Sequence, residues 1–166
     1  MVDRENVATA TELREMLAKR GLQASSPRLA VLQYVLGSGR HSTPDEIFER
    51  LGPQTGSLSR ASVYNNLAAL TAAGLLERLD TPGGTRYGRV TEPHVNLVCT
   101  ECSEVTDVLV ADSAVTELTR RATAAASFEP ESVSLSVLGL CAKCAARPEP
   151  RGASSESLMA GDHDHR

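Results

Sequence analysis

The chain has 166 residues, 41% of them hydrophobic, 23% charged and 3% aromatic, enough for one domain or two small ones with cores of Leu, Val and Ala. No run approaches the roughly 20 apolar residues that span a bilayer, and the polar opening MVDRENVATATELRE lacks a signal-peptide core. A cytoplasmic protein with reduced thiols is expected. The net charge of −4 excludes a uniformly basic nucleic-acid binder, but residues 1–90 carry 11 Lys and Arg against 9 Asp and Glu, and residues 91–166 carry 6 against 12. The first half, at net +2, is the better candidate to meet phosphate.

Helix signals fill the first 75 residues. Thr11 to Arg20 places Leu13, Met16 and Leu17 on one face, and Gly21 stops it. Ser26-Pro27 reads as N-cap plus first-turn proline of a helix that turns Leu29, Leu32, Val35 and Leu36 inward and ends at Gly37 to Gly39. Thr43-Pro44-Asp45-Glu46 is a capping box before Ile47, Phe48 and Leu51. After the loop Gly52 to Leu58, Ser59 caps a fourth helix to about Ala73, with Val63, Leu67 and Leu70 inward and Gly74 closing it. Leu75–Asp80 and Thr85–Val90, separated by Thr-Pro-Gly-Gly, form a hairpin. Helices followed by a hairpin are the order of a winged helix-turn-helix.

Thr91-Glu92-Pro93 reads as a joint. Beyond it, His94–Cys99 and Glu104–Val110 are expected strands, and Ser113 to Ala126 a helix with Val115 and Leu118 inward. The alternating Ser132–Val137 is a further strand. From Pro148 the composition turns to Pro, Gly, Ser and charge, ending Gly-Asp-His-Asp-His-Arg, which predicts disorder. The expected class is therefore α+β: a winged-helix domain over residues 1–90, a small α/β domain over 94–147 and a tail over 148–166.

Cys99-x-x-Cys102 and Cys141-x-x-Cys144 use every cysteine in the chain. Two-residue spacing lets both sulfurs of a pair face one ion, and two pairs close a tetrahedron around structural Zn2+. The 38 residues between the pairs exceed a zinc-ribbon gap, so an intervening strand, helix and strand must bring the pairs together. Two disulfides, or a redox Cys-x-x-Cys enzyme, are the competing readings; no enzyme activity is expected on the zinc reading.

Ser26-Pro-Arg-Leu-Ala-Val-Leu, His41-Ser-Thr-Pro-Asp-Glu-Ile-Phe, Ser62-Val-Tyr-Asn-Asn-Leu, Ala73-Gly-Leu-Leu and Leu138-Gly-Leu-Cys join the cysteine pairs as landmarks. Over about Leu13 to Cys144 the sequence resembles the ferric uptake regulator family, and in Val-Tyr-Asn-Asn-Leu its peroxide-sensing branch. The resemblance implies a homodimeric, metal-responsive transcriptional regulator, a repressor of metal-homeostasis or peroxide-stress genes. Its winged helix reads an operator in double-stranded DNA, its C-terminal half dimerises, and a regulatory metal at the hinge sets the spacing of the two reading heads.

On the helix opening at Ser59, the resemblance and the non-core positions mark Arg60, Tyr64 and Asn65 as base or phosphate contacts. Arg28 and Lys19 are marked as backbone or minor-groove contacts and Arg86 as a wing contact. The regulatory site, for Fe2+ or Mn2+ in the peroxide branch, falls on His41, Gly88, His94, Asn96 and Asp107. Gly88 and Asn96 depart from that branch's ligand types. With one imidazole and one carboxylate lost, a divalent site weakens, and Glu92, Glu104, His163 and His165 are candidate substitutes. His41 and His94 are the side chains that peroxide chemistry on bound iron would oxidise. Two alternatives remain: a relative that binds DNA constitutively through altered metal sensing, and a zinc-stabilised protein-interaction module.

Overall fold

The structure is a computed structural model that describes residues 8–56, 58–90, 93–124, 126–131 and 133–147. Glu92, Ser132 and the tail with His163 and His165 lie outside the described residues.

Four helices come first: α1 (Ala10–Lys19), α2 (Ser26–Ser38), α3 (Pro44–Leu51) and α4 (Arg60–Ala72). Local chemistry starts each of them. Thr9 with Glu12, and Thr43 with Glu46, form reciprocal capping boxes, while Ser25 and Ser59 hydroxyls accept from the third-residue amides of α2 and α4. The cap of α2 is thus Ser25 rather than the expected Ser26. Pro27 consequently occupies the second helical position, where its missing N–H still costs no bond. Gly39, at φ 62, ends α2 in the left-handed conformation that favours glycine.

The strands β1 (Leu76–Thr81) and β2 (Gly84–Arg89) follow as an antiparallel hairpin closed around Pro82-Gly83, with Thr81 opposite Gly84. An isolated bridge joins Ser42 to Tyr87 through two backbone bonds of 2.9 and 2.8 Å, tying the α2–α3 loop to β2. Leu13 and Leu17 of α1, Val31, Leu32 and Val35 of α2, Ile47, and Val63, Leu67 and Leu70 of α4 close one apolar core. Leu76 and Tyr87 bring the hairpin into it.

The second half is a three-stranded sheet in the order β4-β3-β5, made of β3 (His94–Cys99), β4 (Val105–Leu109) and β5 (Ser136–Gly139). The strands β3 and β4 are antiparallel. β5 runs parallel to β3, with α5 (Asp112–Ala124) in the connection, and a short α6 (Ala142–Ala145) ends the fold. Two expectations change here. The last strand lies at Ser136–Gly139 rather than at 132–137, because pairing with β3 puts Gly139 beside Cys99. Helix α5 buries none of its residues: Val115 is half-buried and Leu118 is 51% exposed, so its apolar positions do not turn into this chain's core. Leu97, Val108, Val137 and Leu138 are likewise exposed on the sheet. No helix among the described residues is long and apolar enough to cross a membrane.

Candidate functional site

The long gap between the cysteine pairs is closed by the sheet. Cys99 ends β3 and pairs in register with Gly139 of parallel β5, and two residues later Cys141 precedes α6. The ligand atoms of Cys99, Cys102, Cys141 and Cys144 all lie within 4.8 Å of one another, the only such group of three or more among the described residues. The Sγ atoms of Cys102 and Cys141 are 3.8 Å apart. A tetrahedron with Zn–S bonds of about 2.3 Å has edges of roughly that length, and all four cysteines are free of disulfides.

The electrostatics agree with a cation site. Backbone amides of Cys102 and Cys141 pull the Cys99 thiol down to about 6. The bond from Cys141 and the neighbouring sulfurs push Cys144 up to about 12. Four thiolates this close cannot all form without a cation between them, and zinc supplies one. The donor set therefore fits a closed, structural zinc.

The knuckle also touches the first half. A Cβ added to Gly83 in the hairpin turn would overlap Ser103, whose Cβ lies 2.8 Å from that position. Ser103 itself is buried, at a positive φ of 55.

A second cluster forms where the halves meet. His41, held by the Ser42–Tyr87 bridge, has a side chain only 1% exposed. Its Nε2 lies 2.6 Å from Glu77 Oε1, and His94 Nε2 lies 3.2 Å from the same oxygen. The opposite ring nitrogen, Nδ1, is 3.4 Å from Asp107 Oδ1 without making a hydrogen bond. Asn96, on the same face of β3 as His94 and paired in register with Asp107, is 1% exposed, and its Oδ1 has no partner. Burial opposes ionisation of Glu77, but the hydrogen bond and charge of His41, and then those of His94, outweigh it and hold the carboxyl below its usual range.

Four of the five expected regulatory positions thus meet: His41, His94, Asn96 and Asp107. Gly88 is there for a steric reason, since a Cβ on it would overlap the His41 ring. Glu104 sits at the zinc knuckle instead, its carbonyl accepting from the Cys99 amide at 2.9 Å. Glu77 is the residue that sequence reasoning missed. The Thr-Pro-Gly-Gly turn carried the signal, because a two-residue loop at Pro82-Gly83 sets Glu77 directly opposite Gly88.

The expected DNA-reading residues divide. Tyr64 is 50% exposed, Asn65 and Lys19 are exposed, and all three are available. Arg60 is paired with Asp45 and lies 4.7 Å over the Phe48 ring, yet its side chain remains 55% exposed. Arg28 donates to Asn66 Oδ1 at 3.2 Å and to the Gln23 carbonyl at 2.9 Å, which bolts α2 to α4. Arg86 turns inward. It is 15% exposed and donates to the His41 carbonyl at 3.2 Å, with Glu46 at 3.5 Å. Its geometry supports the hinge rather than the wing contact expected of it.

Comparison with known proteins bears on the same residues. A family model described as the ferric uptake regulator family matches residues 19–138. The peroxide-responsive repressor of Staphylococcus aureus strain Mu50 is 28% identical over 137 residues, covering 80% of this chain and 91% of its own. The crystal structure of the Vibrio cholerae ferric uptake regulator, described as revealing a rearrangement of its DNA-binding domains, superposes with a TM-score of 0.63 at 25% identity, covering 77% of this chain and 98% of its own. The Helicobacter pylori ferric uptake regulator shares the fold with a TM-score of 0.69 at 22% identity, covering 87% and 99%.

Proposed function

The chain belongs to the ferric uptake regulator family, and from that premise we propose that it is a metal-dependent transcriptional repressor that acts on operator DNA in the cytoplasm as a homodimer. The single observation that carries the reading is the hinge: His41, from the helical half, is buried against Asp107 of the sheet half and against Glu77, which also contacts His94. An ion bound there favours one arrangement of the two halves. A dimer then presents its α4 helices at one fixed spacing, and operator affinity follows metal occupancy.

Residues 1–90 supply the reading head in this proposal, with Tyr64, Asn65 and Arg60 of α4 entering the major groove and Lys19 touching phosphate. Residues 94–147 supply the dimer. The exposed Leu97 and Val137, which are register neighbours, and Leu118 of α5 support that role, because an isolated sheet half would leave them in water. The four cysteines would hold zinc and stiffen this half without sensing. Iron or manganese at the hinge is the regulatory ligand, and the regulated genes belong to metal homeostasis or peroxide stress.

The test is a gel shift against sequence-selected DNA, with zinc-loaded protein and added Fe2+, Mn2+ or Zn2+. Metal should tighten specific binding at least tenfold, and rising salt should weaken it. Equal binding with and without metal would leave a constitutive DNA binder instead.

A further inference from the structure

Arg60 is the first residue of α4, and the helix itself gives no reason for a cation there. Aligned peptide dipoles leave a helix N-terminus partly positive, so an arginine at that end costs stability. Its guanidinium is instead held from outside. Asp45, in the first turn of α3, pairs with Nη1, and the Phe48 ring lies 4.7 Å away beneath the guanidinium. Asp45 and Phe48 are three residues apart and share one face of α3. We infer that Asp45 is a specificity-determining residue of the DNA-reading surface: acting through Arg60, it holds the guanidinium for a guanine edge and withholds it from phosphate.

Three features carry this. The first is a fixed platform: Phe48 packs against the apolar core and its neighbour Ile47 is fully buried. A free arginine has many rotamers to lose on binding, and one already stacked and paired loses fewer. The second is donor supply. A guanidinium has five N–H donors, Asp45 accepts from Nη1, and the Arg60 side chain is 55% exposed. Donors therefore remain for O6 and N7 of guanine, the bidentate contact that arginine makes in a major groove.

The third feature is charge. An unpaired arginine on this surface would bind phosphate whatever the sequence. Asp45 makes the pair neutral, which removes most of its attraction for phosphate. A guanine edge carries no net charge and needs only the N–H groups, so its contact survives the pairing. Exposed ion pairs contribute little to folding, and with both partners more than half exposed the consequence of this one lies in what Arg60 can read.

The inference rests on the proposed reading head, and the test separates the two. Zinc-loaded, full-length protein with Mn2+ selects from a duplex DNA library with a randomised core, and the bound DNA is sequenced. Arg60→Ala should erase a guanine preference at one position of each half-site. Asp45→Asn should lower that preference at least tenfold, within the roughly 5–150-fold that one bidentate contact supplies, and leave other positions unchanged. It should also steepen the salt dependence of binding to unselected DNA by about one per protomer. In an Arg60→Ala background, Asp45→Asn should change nothing further. Glu49→Gln removes the same charge from the same helix, at an exposed position four residues on, and should leave the preference intact. Unchanged zinc content and circular dichroism show that each variant is folded. If Asp45→Asn keeps the guanine preference that Arg60→Ala loses, or if Glu49→Gln relaxes it equally, the assignment of Asp45 is overturned and the reading head stands. If Arg60→Ala selects the same sequence as wild type, or wild type selects none, the placement of Arg60 in the groove fails and the inference with it.

Discussion

Replacing Cys102 by Ser should unfold the sheet half while the helical half stays folded. The buried apolar residues are distributed very unequally. Leu13, Leu17, Val31, Leu32, Val35, Ile47, Leu58, Val63, Leu67, Leu70, Leu75, Leu76, Leu79 and Tyr87 belong to the first half, whereas Val98 and Cys99 are the buried apolar residues described beyond residue 93. A fully buried Leu or Val contributes about 1.5–3 kcal/mol, so within one chain Val98 cannot offset the ordering entropy of a sheet and helix of this size, and the proposed dimer face of Leu97, Val137 and Leu118 has to be ordered before it can pair. Structural zinc contributes about 10–16 kcal/mol to small modules of this kind, comparable to the entire stability of an ordinary domain. Losing one thiolate opens the tetrahedron and removes most of that. Hydrogen exchange read by mass spectrometry resolves the outcome by peptide: amides of β3, β4 and β5 should exchange freely in Cys102→Ser, and those of α2 and α4 should remain protected. The tyrosines add a check, because Tyr34, Tyr64 and Tyr87 all lie in the first half and their fluorescence should be unchanged. Full protection of the β3 amides in a variant shown to lack zinc would refute this reasoning.

Gly88→Ala should displace His41 and destabilise the protein by about 1–3 kcal/mol, the usual cost of overpacking a filled site, measurable as a shift in the urea midpoint. Arg86→Ala should cost about 1–3 kcal/mol by leaving the His41 carbonyl without its donor; the slope of DNA affinity against salt should stay the same, whereas loss of a phosphate contact lowers it by about one. Tyr64→Ala should weaken specific operator binding at least tenfold with no change in melting temperature, since the ring is half exposed and outside the core. The Glu12 carboxyl is held below its usual range by the Thr9 amide and hydroxyl, so its contribution to α1 is present above the ordinary carboxylate range and disappears as pH falls through the lowered value. Thr9→Ala, which removes the hydroxyl but keeps the amide, should reduce that acid dependence of α1 exchange rates, and Glu12→Gln should abolish it.

Much of this molecule could be read directly from its residues, because the devices involved are local. A threonine three residues before a glutamate caps a helix whatever lies around it, Pro-Gly between strand-like runs closes a hairpin, and paired Cys-x-x-Cys motifs present sulfurs to one ion. Those features located the four helices, the hairpin and the zinc cysteines, and the family landmarks led to His41, His94, Asn96 and Asp107. Tertiary structure alone decided what depends on pairing at long range. The placement of β5 was set by its register with β3, which carries Cys141 to Cys99. Arg86 looks like an exposed wing cation in sequence, yet packing turns it onto the His41 carbonyl. Glu77 reads as an ordinary polar strand residue until the hairpin register and the approach of β3 set it between two imidazoles. Caps and turns are decided within about four residues, but a hinge is made by side chains 17 to 66 positions apart whose proximity exists only once both halves have folded.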